Sequence, residues 1–161
     1  MDREEARQIV ERYGSMVYRL AYARTGQRSD GEDVTQEVFL RLVRAGPAFQ
    51  DEEHQKAWLL KVTAHCAGDL LRSPWHKRRR PLEEADGLTA PEPVEESGVL
   101  EAVLALPERY RTVIHLFYYE ELSVAEIAAI LGKREGAIRT RLSRARGMLR
   151  ALLDEEGEAH V

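Results

Sequence analysis

The chain has 161 residues, 43% hydrophobic and 32% charged, with a net charge of −4 and a single cysteine, Cys66. That composition suits one folded domain or two small ones. It excludes a disulfide-stapled scaffold and a uniformly basic coat for nucleic acid, so any binding of nucleic acid must come from local patches. The opening MDREEARQIV is too charged for a secretory signal, and no apolar run reaches membrane-spanning length. Both features lead to the expectation of a cytoplasmic protein without membrane insertion.

From Arg7 to Arg24 the apolar positions Ile9, Val10, Tyr13, Val17, Leu20 and Ala21 form a helical stripe, with a possible break at Gly14-Ser15. Gly26 to Ser29 reads as a turn, and Asp30 as the start of a second helix with acids in its first turn. Val34, Val38 and Leu42 share one face of that helix, while Asp33, Gln36, Glu37 and Arg41 point elsewhere. Pro47 stops it. Phe49 to Gln55 reads as a polar loop, followed by a third helix over Lys56–Arg72. Leu59, Val62, Cys66 and Leu70 line one side of it, and Trp58, Lys61 and His65 the adjoining side.

Beyond Pro74, the run WHKRRR (75–80) places an aromatic beside bases, including Lys77 and Arg78. Such a run can stack on a base and hold phosphates, or be a solvated tail; the local sequence favours neither. Residues 81–97 hold three prolines and six acids without one base, which marks a flexible acidic linker. Val99–Leu106 and Glu108–Tyr119 then read as two helices, the second burying Tyr110, Val113, Ile114 and Phe117. The tail from Asp154 is acidic and expected to fray. Nothing reads as a strand.

Ser123 to Arg150 carries the most specific pattern. Ser123 and Glu126 form an S-x-x-E capping box, and Gly132 closes the short helix they start. Ile138, Leu142, Ala145 and Leu149 then recur at helical spacing. At about 100° per residue, the opposite face holds Gly136, Thr140, Ser143 and Gly147. Arg139, Arg146 and Arg150 flank that small face on one side, Arg141 and Arg144 on the other, and Lys133 and Arg134 precede it. An ordinary solvated helix mixes its charges. Here Glu135 stands alone against seven bases. A floor of small residues between guanidinium rails suits a helix-turn-helix whose second helix enters a major groove.

Taken together, the chain from about Val10 to Leu153 resembles the extracytoplasmic-function class of bacterial sigma factors. The resemblance is carried by GEDVTQEVFLRL (31–42), KAWLLKVTAHCAGDLLR (56–72) and the stretch from Leu106 to Arg150. It implies an all-α fold of two small helical domains: region 2 over residues 1–75, a linker over 76–97, and region 4 over 98–161. By the same resemblance Asp33, Gln36, Glu37 and Arg41 grip the β′ clamp of core RNA polymerase, and region 4 meets the β flap. Phe49, Gln50 and Asp51 belong to the loop that captures a flipped −10 base, and Trp58, Lys61 and His65 line the melted strand. Arg139, Thr140, Ser143 and Arg144 face the −35 element, with Arg134, Gly136, Arg141 and Arg146 around them. The partners implied are core polymerase, promoter DNA and an anti-sigma protein. No cofactor, metal, small-molecule substrate or catalytic residue is expected.

The sequence departs from the family at His65, where Asn is usual, and at Lys133-Arg134, where a small apolar residue and then Ser or Pro are usual. Both departures leave the promoter sequence open. Two rival readings remain at this point. A free-standing helix-turn-helix regulator would leave the N-terminal half without a purpose and lacks an evident dimerisation element. An enzyme built on His54, His65, Cys66, Asp69 and His76 would need groups that converge. Adjacent His65 and Cys66 diverge by about 100° on a helix, and no metal-ligand or phosphate-loop motif is present.

Overall fold

The computed structural model describes residues 2–74 and 98–159, and every regular element among them is helical. Helix α1 runs Arg3–Thr25. Asp2 caps its start by accepting from the Glu5 amide, and Gly26, at φ 73°, closes its end. It is unbroken at Gly14-Ser15. The Ile9, Met16, Val17, Leu20 and Ala21 stripe is buried along its length, which outweighs the roughly 1 kcal/mol that a mid-helix glycine costs. Helix α2 spans Arg28–Ala45, beginning two residues before Asp30. Asp30 is wholly buried rather than sitting on an exposed first turn. Helix α3 spans Glu52–Arg72, four residues longer at its start than its apolar periodicity alone indicates. The reason is Asp51, which accepts from the His54 amide at 2.8 Å and sets the N-terminus there. These three helices pack on one another around Val17, Leu20, Val38, Leu42, Leu59 and Leu60.

The C-terminal helices are α4 (Gly98–Ala105), α5 (Glu108–Ile114), α6 (Val124–Leu131) and α7 (Glu135–Ala159). The single helix expected over Glu108–Tyr119 divides: α5 passes into a π-helical turn at His115–Tyr119, where the Glu120 amide bonds to the His115 carbonyl at 3.1 Å. That turn keeps Leu116 buried, leaves Phe117 half-buried and pushes Tyr118 and Tyr119 into solvent. At the other end of the chain, α7 continues through Asp154 to Ala159 instead of fraying at that residue.

The two helical groups are packed together. Helix α1 lies against α5 and the π turn, and α3 against α6. Arg24 pairs with Glu108 at 2.8 Å, and Arg19 reaches Glu120 at 3.4 Å. The same junction holds the buried guanidinium of Arg111. It donates to the carbonyls of Ala23 and Arg24 at the end of α1, and to those of Leu104 and Leu106 in its own half. The last carbonyls of a helix have no partner within the helix and carry negative partial charge. A cation from the other half caps them. Gly26 leaves room for it: a Cβ at that position would stand 3.0 Å from Arg111 Nη2.

Candidate DNA and polymerase interface

Helix α6 is fixed at both ends by its own sequence. The Glu126 amide donates to Ser123 Oγ at 3.1 Å, and the Ser123 amide to Glu126 Oε1 at 3.0 Å. These bonds hold the Glu126 carboxyl below the usual carboxylate range. Gly132, at φ 64°, turns the chain toward α7. Ile138, Leu142 and Ala145 of α7 are buried, which fixes the rotation of the helix and sends its opposite face outward. Gly136, Thr140, Ser143 and Gly147 are all exposed on that face. A Cβ at Gly136 or Gly147 would touch nothing within 4 Å, so the floor is open.

The flanking arginines are not equivalent. Arg146 Nε donates to the Tyr118 hydroxyl at 2.6 Å, and its guanidinium lies over the Phe117 and Tyr118 rings. On the opposite flank Arg109 donates to the Tyr110 hydroxyl at 3.3 Å, and with Arg144 it holds that phenol below its ordinary pKa. Arg139 pairs only loosely with Glu135, at 3.6 Å. Arg141 is half-buried, while Arg134 and Arg150 are exposed. The π turn thus positions one rail of the helix, a role that sequence reasoning missed.

On α2, Asp33 and Gln36 are exposed, whereas half-buried Glu37 and Arg41 pair with each other at 3.2 Å. Leu40 and Val43 are 46% and 51% exposed on the same outward side. A polar rim around apolar side chains is the usual anatomy of a protein interface. The sequence reading missed both residues, although their angle from the Val34–Val38–Leu42 face was available.

At the start of α3, Phe49 is half-buried and meets Trp58 edge-on at 5.8 Å. Gln50 is exposed, and Asp51 is engaged as the helix cap. Lys61 and His65 are exposed further along the Trp58 side, with His65 Nε2 3.3 Å from Asp69. Lys77, Arg78 and the 76–97 linker lie outside the described residues. Cys66 is buried, and burial pushes its thiol pKa up, against the partial opposition of Arg41. Among the described residues no group of three His, Cys, Asp or Glu could hold a metal ion, and no helix is long and apolar enough to cross a membrane.

Among the described residues the fold is all-helical, and the exposed, arginine-flanked face of α7 suits a DNA-binding protein. Family models agree: sigma-70 region 2 matches residues 9–78, and sigma-70 region 4 matches residues 98–149. Among similar proteins is the ECF RNA polymerase sigma factor SigW of Bacillus subtilis, 30% identical over 169 residues, covering 94% of this chain and 90% of that one. SigE of Mycolicibacterium smegmatis is 34% identical over 156 residues. That alignment covers 91% of this chain but 60% of the relative's length. The solved structure of CnrH with the cytosolic domain of CnrY matches at TM-score 0.66 and 28% identity, over 96% of this chain and 90% of that one. The fold is also that of the sigma factor RpoE solved with the anti-sigma factor NepR from Bartonella quintana, at TM-score 0.73 and 24% identity over 94% and 98% of the two chains. The chain belongs to the ECF class of the sigma-70 family of RNA polymerase sigma factors, the non-catalytic subunits that direct transcription initiation.

Proposed function

We propose that the chain divides this task between region 2 at residues 1–75 and region 4 at residues 98–161, joined by a linker at 76–97. Region 2 attaches to the β′ clamp of core polymerase through Asp33, Gln36, Glu37 and Arg41, with Leu40 and Val43 as the apolar centre of the contact. Phe49, Gln50, Asp51, Trp58, Lys61 and His65 engage the −10 element, with Lys77 and Arg78 beyond them. Asp51 acts there through the helix it caps. Region 4 docks on the β flap and reads the −35 element. Gly136, Thr140 and Ser143 approach base edges, while Arg134, Arg139, Arg141, Arg144 and Arg146 hold phosphates. The observation that carries this reading is the open small-residue floor of α7, flanked by arginines and facing away from the core. The protein works in the cytoplasm with the polymerase, and an anti-sigma protein holds it inactive; the solved complex of its relative CnrH with the cytosolic domain of CnrY supports a protein partner.

Promoter engagement then requires the two halves to part. The −10 and −35 elements lie about 25 base pairs apart, or roughly 85 Å at 3.4 Å per base pair. A compact chain of this length has a radius of gyration of only about 15 Å, so its two reading faces fall well short of that span. In the closed arrangement Gln50, Lys61 and His65 stay exposed, as do Gly136, Thr140 and Ser143, while Phe49, Trp58 and Arg141 are half-buried, so closure limits reach more than access.

Paired substitutions test the division. Arg144→Ala should weaken binding to a −35 duplex and flatten its log–log salt slope by about 0.9, while leaving polymerase binding intact. Glu37→Lys should loosen attachment to polymerase and leave the duplex affinity unchanged. Equal effects of both changes in both assays would refute the two-part assignment.

A further inference from the structure

We propose that His54 is a positioning residue that shapes the 46–51 loop for capture of an unstacked base; this rests on the −10 reading above. His54 is the third residue of α3. In the reciprocal cap at α6, the third residue returns its side chain to the amide of the capping residue itself. At α3 the second half of the pattern is displaced. The His54 amide donates to Asp51 Oδ1 at 2.8 Å, but His54 Nδ1 accepts from the amide of Gln50, one residue upstream of the cap, at 3.1 Å. The imidazole therefore ties the last loop residue, not the cap, to the first turn of the helix.

The same ring meets Phe49 edge-on, with centroids 5.3 Å apart and planes at 83°. Phe49 in turn meets Trp58 at 5.8 Å and 69°. His54 and Trp58 are one helical turn apart, so the three rings form a row in which Phe49 is held between two side chains of α3. A pocket for an extruded base needs an aromatic face fixed in place before the base arrives, with polar groups beside it. Phe49 supplies the face, and exposed Gln50 the polar neighbour. The imidazole holds Gln50 through its acceptor nitrogen, and its edge adds to the hold that Trp58 already has on Phe49.

Two substitutions separate these functions. His54→Phe keeps a ring against Phe49 and removes the acceptor. His54→Asn loses the ring but places an amide oxygen where Nδ1 stands. The full chain would be assembled with core polymerase and first used to find the promoter it transcribes most strongly from fragmented DNA of the source genome. Binding would then be measured to a labelled non-template single strand spanning that promoter's −10 element, and separately to its −35 duplex.

The expected result is about fivefold weaker single-strand binding for His54→Phe, the effect of one lost hydrogen bond. Recovery to within about twofold is expected for His54→Asn, because Trp58 still packs on Phe49 once the imidazole ring is lost. Duplex binding and polymerase affinity should be unchanged in both. Wild-type single-strand binding by His54→Phe would overturn the proposal, as would equal losses in the two variants or a parallel loss of duplex binding. Phe49→Ala distinguishes failure of the underlying reading: if that change leaves single-strand binding untouched, the loop does not capture a base at all.

Discussion

Arg111→Lys should open the molecule without discharging it. The guanidinium spans the junction, donating to the Ala23 and Arg24 carbonyls on one side and the Leu104 and Leu106 carbonyls on the other. Lysine keeps the positive charge but concentrates its donors at one point, so it cannot serve both sides. Hydrogen bonds to charged groups contribute about 1.5–3 kcal/mol each, but the freed carbonyls regain water when the halves part. A net loss of about 2–3 kcal/mol in closure is therefore expected, lowering the closing constant roughly 30- to 150-fold. Small-angle scattering reads this directly. A compact chain of this length has a radius of gyration of about 15 Å, and the variant should be measurably larger. Amides in the last turn of α1 should also exchange faster. If melting temperature falls while the radius and the α1 exchange stay unchanged, Arg111 braces only its own half, and the reasoning fails.

Two further outcomes follow from the geometry. Burial alone would raise the Glu120 pKa, but His115, whose Nε2 stands 3.3 Å from the carboxylate, and the Arg19 guanidinium at 3.4 Å outweigh it and hold the carboxyl below its usual range. Its contribution to stability is thus present above the ordinary glutamate pKa of about 4.3 and is lost as pH falls through the lower folded value. Because Arg19 belongs to α1, acid should loosen closure as well as region 4, and Glu120→Gln should flatten the pH dependence of the scattering radius over that range. Gly132→Ala meets no steric obstacle, since nothing lies within 4 Å of its added Cβ. Its cost is the left-handed backbone alone, about 1 kcal/mol of stability in chemical denaturation, with −35 binding retained by the folded fraction.

What the sequence made legible was whatever depends on local order. The capping box at Ser123, the stop at Gly132 and the buried series Ile138, Leu142 and Ala145 could all be read from spacing, and they set the rotation of α7. The start of α3 was misplaced because its first turn, Glu52–Glu53–His54, is polar and adds nothing to an apolar period; only the cap at Asp51 marks it. The π turn was illegible for a related reason. One extra residue in a helix changes which side chains face inward without changing composition, so Phe117 was expected in the core and lies at its margin. Closure of the two halves was beyond local reading altogether. Arg24 and Glu108, or Arg19 and Glu120, are about a hundred residues apart or nearly so, and nothing at either position alone announces a partner. The acidic linker suggested independent halves, yet a buried guanidinium joins them.

The most direct test of the central claim is run-off transcription with purified core polymerase, the full chain and fragmented DNA from the source genome, with the start sites mapped. Discrete starts that depend on the protein, preceded by shared −10 and −35 elements, are the predicted result. Specific duplex binding without any stimulation of the cognate polymerase would contradict it.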